Sequence, residues 1–241
     1  MPAVQVSSTV ANLLKWKRIA ETGKTAPGAP AGKVVNCGYK VVGVASSNSI
    51  ETVQQENVQL GVHILASSSV LSRNKTRQVF RAINTAGLEG FLRRHPLSRL
   101  DVVRAKTVGN RQINGEYDED TQELWVNARR AERTYAQEFS LGTTRTVSAL
   151  APTILEAIRR SLIHELAHHV YKQRIFGTAL EGAIVQAARS GTPLTFRASA
   201  GVKEYFAECF TAYTYEPDLL KKHDPVGYAM IERVRGELSL P

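Results

Sequence analysis

PTILEAIRRSLIHELAHHVYKQR, residues 152–174, decides the fold of this chain. Ile154, Leu155, Ile158, Leu162, Ile163, Leu166, Val170 and Tyr171 recur at three- and four-residue spacing, the period of an α-helix. Apolar positions this frequent predict a helix buried on more than one side. Pro152 suits the first helical position, where a missing N–H costs nothing. Inside the run stands His164-Glu165-Leu166-Ala167-His168. Histidines at i and i+4 lie one above the other on one helix face, so two imidazole nitrogens can reach one metal ion, Zn²⁺ by preference. Glu165 is one step round the helix, placed to reach a water held by the metal rather than the metal itself. Such a water loses its proton near neutral pH. A carboxylate beside it can take that proton and return it to a leaving amine.

A lone pattern of this kind also arises by chance. Here the two intervening residues, Leu166 and Ala167, are apolar, as a buried helix requires. Ile158, Leu162 and Ile163 continue the core on the N-terminal side. Three of the six histidines, His164, His168 and His169, fall within six residues, and each costs free energy to bury without a partner. His169 points about 100° round the helix from His168 and is not expected to be a ligand. A third histidine six residues after His168 is excluded, because that residue is Arg174. His63, His95 and His223 are isolated in sequence, and Cys37 and Cys209 are too far apart to form a Cys-rich metal site.

A second helix is predicted over Val202–Tyr213, carrying Phe206, Phe210 and Tyr213. On it Glu204 and Glu208 again stand at i and i+4 on one face. Two like charges among Tyr205, Phe206 and Phe210 need a positive neighbour. A metal and its histidines supply one. One glutamate then serves as third ligand, the other as a hydrogen-bond partner for a ligand histidine. Periodicity does not choose between them.

At IRRSLIHELAHHVY (158–171) and KEYFAECFTAY (203–213) the sequence resembles the lethal-factor-like gluzincin metallopeptidases. That group includes anthrax lethal factor, the clostridial Pro-Pro endopeptidases and bacteriophage-encoded relatives. The resemblance covers roughly residues 100–238, and the pairing of HExxH with a downstream ExFAE-type helix carries it. It implies zinc held by His164, His168 and Glu204, Glu165 as general base, and Glu208 behind a ligand histidine. It also implies that the strand before the active-site helix, here Glu123–Asn127, binds substrate backbone by strand addition. The family's oxyanion-stabilising Tyr, about seven residues ahead of the ligand Glu, is replaced by Arg197, after Phe196. A cation near developing negative charge can do that work, so Arg197 joins Glu165 as an expected catalytic residue, with reduced efficiency.

Around these motifs the sequence predicts an α+β protein in three parts. Residues 1–33 are an amphipathic helix (9–21) and a Pro/Gly linker (22–33). Residues 34–99 are a basic α/β region, with strands at 34–35, 39–44 and 58–65 and helices at 70–86, ended by Gly87, and 88–94. Residues 100–241 form a zincin-like domain: a strand over 100–108, a hairpin over 113–127, polar surface loops over 128–150, a mixed stretch over 175–201, and helices opened by Pro217 and by Asp224-Pro225.

Charge divides unevenly. Residues 1–110 carry 15 Lys/Arg against 5 Asp/Glu, and residues 111–241 carry 16 against 17. A basic half suits an acidic partner, whether assembly subunits, nucleic acid or another polyanion, although a solvated surface has the same composition. Two functions follow: a zinc metalloendopeptidase acting on a protein substrate, or a structural or assembly protein of a phage particle that keeps a peptidase-like fold. The first 20 residues hold no continuous apolar stretch, so no secretory signal is expected, and no run is long enough to span a membrane. With two cysteines the expected setting is reducing: cytoplasmic, or virion-associated if phage-encoded.

Overall fold

Where the stretches before residue 70 are described, they form sheet. The computed structural model describes residues 39–44, 50–55, 63–67, 79, 81–103, 107–108, 111–112, 114–127, 130–131, 135 and 144–240. In it β1 (Tyr39–Val44), β2 (Ile50–Gln55) and β3 (His63–Ser67) form an antiparallel meander. The expected strand over 58–65 coincides with β3 at residues 63–65, its first five residues lie outside the described residues, and β2 was not expected. The expected helix over 9–21, the linker over 22–33, the strand at 34–35 and Cys37 lie outside the described residues.

A helical stretch over 81–85 ends at Gly87, whose φ of 69° is the left-handed conformation glycine takes without strain. After α1 (Glu89–Arg94) the chain enters β4 (Arg99–Val103), parallel to β3. Of the expected strand over 100–108, residues 104–106 lie outside the described residues, and among the described residues β5 (Thr107–Val108) pairs with β6 (Arg111–Gln112) and not with the larger sheet. The hairpin forms as expected from β7 (Gly115–Tyr117) and β8 (Glu123–Asn127). Asp118 makes its turn by accepting the N–H groups of Asp120 and Thr121 at 2.9 and 3.0 Å. The full sheet runs β1-β2-β3-β4-β8-β7.

Two expectations are corrected by this order. The boundary placed between residues 99 and 100 falls inside one continuous sheet, because β3 and β4 pair. Val79, Ile83, Leu88, Phe91, Leu92 and Leu97 also share one core with Leu162, Ile163 and Leu166. Secondly, β8 is interior, between β4 and β7, and among the described residues β7 is the edge. Leu124, Trp125 and Val126 are consecutive and all buried, the pattern of a strand covered on both faces.

The helical layer follows. Thr153 caps α2 (Ile154–Val170) by accepting the Glu156 N–H at 3.2 Å, so the first helical residue is Ile154 and Pro152 precedes the cap. The helix widens into a π-turn over Tyr171–Ile175, where the Phe176 N–H reaches back five residues to the Tyr171 carbonyl. Residues expected to be mixed contain α3 (Ala179–Ser190), whose Leu180, Ile184 and Ala187 are buried. One interior glycine, Gly182, costs about 1 kcal/mol and does not break that stripe. The helices α4 (Val202–Tyr215), α5 (Pro217–His223) and α6 (Pro225–Glu237) complete the chain. Asp224, fully buried, caps α6 through Gly227 N–H at 3.0 Å and accepts the Tyr205 hydroxyl of α4 at 2.7 Å. Cys209 is a free buried thiol beside it, and burial raises its pKa.

The architecture is α+β, with α2 packed between the β7–β8 hairpin and α4. Among the described residues no helix is long and apolar enough to cross a membrane.

Candidate metal centre

The helix period brings His164 and His168 together, and α4 crosses α2 so that Glu204 meets both. His164 Nε2 and His168 Nε2 are 3.2 Å apart. Glu204 Oε2 lies 3.1 Å from the first and 3.7 Å from the second. These three residues could hold a metal ion.

Glu208, one turn further along α4, sits behind the histidine pair. Its Oε1 is 2.9 Å from His164 Nδ1. Its Oε2 accepts the Val147 N–H and the Thr195 hydroxyl, each at 2.7 Å. A carboxylate on Nδ1 fixes the ring and turns Nε2 toward Glu204 and His168. The two glutamates that periodicity left equivalent are therefore distinguished by depth: the Glu208 side chain is 2% exposed and that of Glu204 21%.

Val147 and Thr195 carry no sequence signal for this role. Val147–Leu150 lies in the stretch expected to be polar surface loops, yet it is a 3-10 turn with Val147 and Ala149 buried. A backbone N–H donor has no side-chain signature, and Thr195 is a common residue type in a loop.

Glu165 is buried against the edge of the sheet. A Cβ at Gly115 on β7 would stand 2.9 Å from Glu165 Cγ and 3.0 Å from its Oε1. Only glycine allows this approach of strand to carboxylate. The tip of the same hairpin is tied to both helices. Glu119 pairs with Lys203 at the start of α4 and, at 3.5 Å, with Lys172 past the end of α2.

His169 is fully buried and faces away from the centre. Its Nε2 donates to the His95 carbonyl at 2.8 Å. That leaves Nδ1 to accept the Tyr117 hydroxyl at 2.9 Å. Tyr171 and Tyr205 donate to Glu181 and Asp224, so these three hydroxyls are all engaged away from the metal ligands. Arg197 stands on Glu204: its Nε reaches Oε2 at 2.8 Å and its Nη2 reaches Oε1 at 2.7 Å. In this geometry it serves the carboxylate, and the expectation of an oxyanion role is not what its contacts describe.

The electrostatics call for positive charge. Burial pulls His164 toward neutrality, but hydrogen bonds to Glu204 and Glu208 outweigh it and push its pKa up to about 10. Burial works against the Glu204 carboxylate too, yet His164 and His168 hold it far below the ordinary range. Burial raises Glu165, against the pull of the two histidines.

A prediction follows for the metal-free protein. The folded-state pKa of His164 exceeds its unfolded value of 6.5, so protonation stabilises the fold. That stability is fully present below pH 6.5 and is lost as pH rises toward about 10. The metal-free melting temperature should fall across this window. Metal binding near pH 8 should release about one proton, read by titration calorimetry in buffers of different ionisation enthalpy. No proton release would mean that His164 enters the site already neutral.

No protein-family model, curated protein or solved structure matches this chain.

Proposed function

We propose that this chain is a zinc-dependent metallopeptidase of the lethal-factor-like gluzincin type, hydrolysing peptide bonds in a protein substrate. One observation carries the reading: two Nε2 atoms and one carboxylate oxygen converge, with Glu208 behind His164 and Glu165 beside the pair. Zinc bonds of about 2.0–2.2 Å in a tetrahedron put ligand atoms about 3.3–3.6 Å apart. The three separations here, 3.1, 3.2 and 3.7 Å, bracket that value. Two histidines and a carboxylate also suit zinc by ligand type.

When bound, zinc would supply a Lewis acid that polarises the scissile carbonyl and acidifies a water. Glu165 would take a proton from a water beside it and deliver it to the leaving amine. Its burial beside Gly115 fixes it next to the edge strand. There β7 has β8 as its only sheet partner among the described residues. An extended peptide adding to the free side of β7 would pass Glu165. Gly115→Ala tests this placement. The added methyl should displace Glu165 and lower hydrolysis about 10²-fold with metal content unchanged; unchanged hydrolysis would detach the edge strand from the site.

The direct test is metal analysis of purified protein together with cleavage of an unfolded protein substrate. Stoichiometric zinc, cleavage stopped by a chelator and restored by zinc support the reading. A protein that takes up no zinc and cleaves nothing supports the phage assembly reading instead, which draws on the 15 Lys/Arg against 5 Asp/Glu in residues 1–110. In that case binding to a polyanion should weaken steeply with salt.

A further inference from the structure

Arg197 lies on a short strap between α3 and α4 that touches both carboxylates of the centre. Thr195 donates to Glu208 Oε2 and accepts the Ala198 N–H at 3.1 Å. Two residues on, Arg197 forks onto both oxygens of Glu204. The strap is anchored by Arg197 N–H to the Arg145 carbonyl at 2.8 Å, and Val147, two residues further on, also donates to Glu208. Glu208 and Glu204 in turn contact opposite nitrogens of His164, Nδ1 and Nε2.

We propose that Arg197 is a positioning residue for the metal centre: its guanidinium fork fixes the plane of the Glu204 carboxylate so that Oε2 alone is offered to the metal. The inference rests on the metal-centre reading and replaces an oxyanion role for this residue. Two effects of the cation oppose each other. Its charge repels a divalent metal, while its fork orders the ligand. The Arg197 side chain is 52% exposed, so water screens the charge. The two-point geometry is not screened, and a planar fork is not reproduced by lysine. Positioning therefore outweighs repulsion.

The test measures zinc affinity and the visible spectrum of the cobalt-substituted protein, neither of which needs a substrate. Arg197→Ala should weaken zinc binding about 10–100-fold and shift the cobalt bands as the carboxylate rotates. Arg197→Lys should recover only part of the loss. Guanidinium ion added to Arg197→Ala should restore affinity. In a Glu204→Ala background the same Arg197→Ala change should cost nothing further, because its partner is gone. Wild-type affinity in Arg197→Lys would overturn the fork. Equal losses in both backgrounds would overturn the route through Glu204. Unchanged affinity and cobalt spectrum in Arg197→Ala would overturn the positioning role. Wild-type protein that binds no metal would overturn the centre and this inference together.

Discussion

Peptide hydrolysis by a Glu165→Gln variant is expected to fall about 10²–10⁴-fold while its zinc content stays at that of the wild type. The amide has nearly the same shape as the carboxylate, so the close packing against Gly115 survives. It lacks the basic oxygen that takes a proton. Glu165 is not among the three convergent ligands, so uptake should not change. Metal analysis and a cleavage assay on one preparation check both halves. Near-wild-type cleavage would remove Glu165 from the chemistry, and parallel loss of zinc would make it a ligand or a structural support.

Glu204→Ala and Glu208→Ala should separate by what they lose. Glu204 faces the histidine pair with Oε2, so its removal leaves two ligands and a protein that is metal-free under mild chelation. Glu208 supports His164 from the far side, and its loss should weaken zinc about 10–100-fold without abolishing binding. The stability ranking is the reverse. Glu208→Ala strands the Val147 N–H, the Thr195 hydroxyl and His164 Nδ1, at about 1–3 kcal/mol for each buried group left unpaired. Glu204 is more exposed, and Glu204→Ala should melt nearer the wild type. Thermal melts of metal-free protein and competition with a chromophoric chelator measure the two rankings. Tight zinc in Glu204→Ala would move the ligand to Glu208.

Much of the centre was legible because helix periodicity is a strong constraint. His164 and His168 cannot be four residues apart on a helix without facing the same way, and the same holds for Glu204 and Glu208. Which glutamate lies deeper was not legible, since depth depends on how α4 crosses α2. The family resemblance pointed to Arg197 at the centre, but not to its orientation. Val147 and Thr195 were invisible because their contributions are a backbone N–H and one hydroxyl brought in by loops. Gly115 was readable in principle: an isolated glycine at a strand marks a close approach. The edge strand was readable too. Leu124-Trp125-Val126 is an unbroken apolar run, which belongs inside a sheet, while Gly115-Glu116-Tyr117 is not. The helix α3 was not legible, because Gly182 lowers helix propensity within a short stripe of Leu180, Ile184 and Ala187.

The ladder between β3 and β4 governs how this protein can be cut. A polypeptide started at Leu100 would begin inside β4, one residue after the His63–Arg99 pair, and would expose the β4 edge that β3 covers, a template for aggregation. It would also strip Val79, Ile83, Leu88, Phe91, Leu92 and Leu97 from the shared core. Recombinant fragments meant to isolate the HExxH region should therefore retain β1 through β3 to remain folded. The same geometry restricts maturation by proteolysis: loss of the segment 39–99 as a shed pro-piece would dismantle the sheet that carries Gly115 beside Glu165.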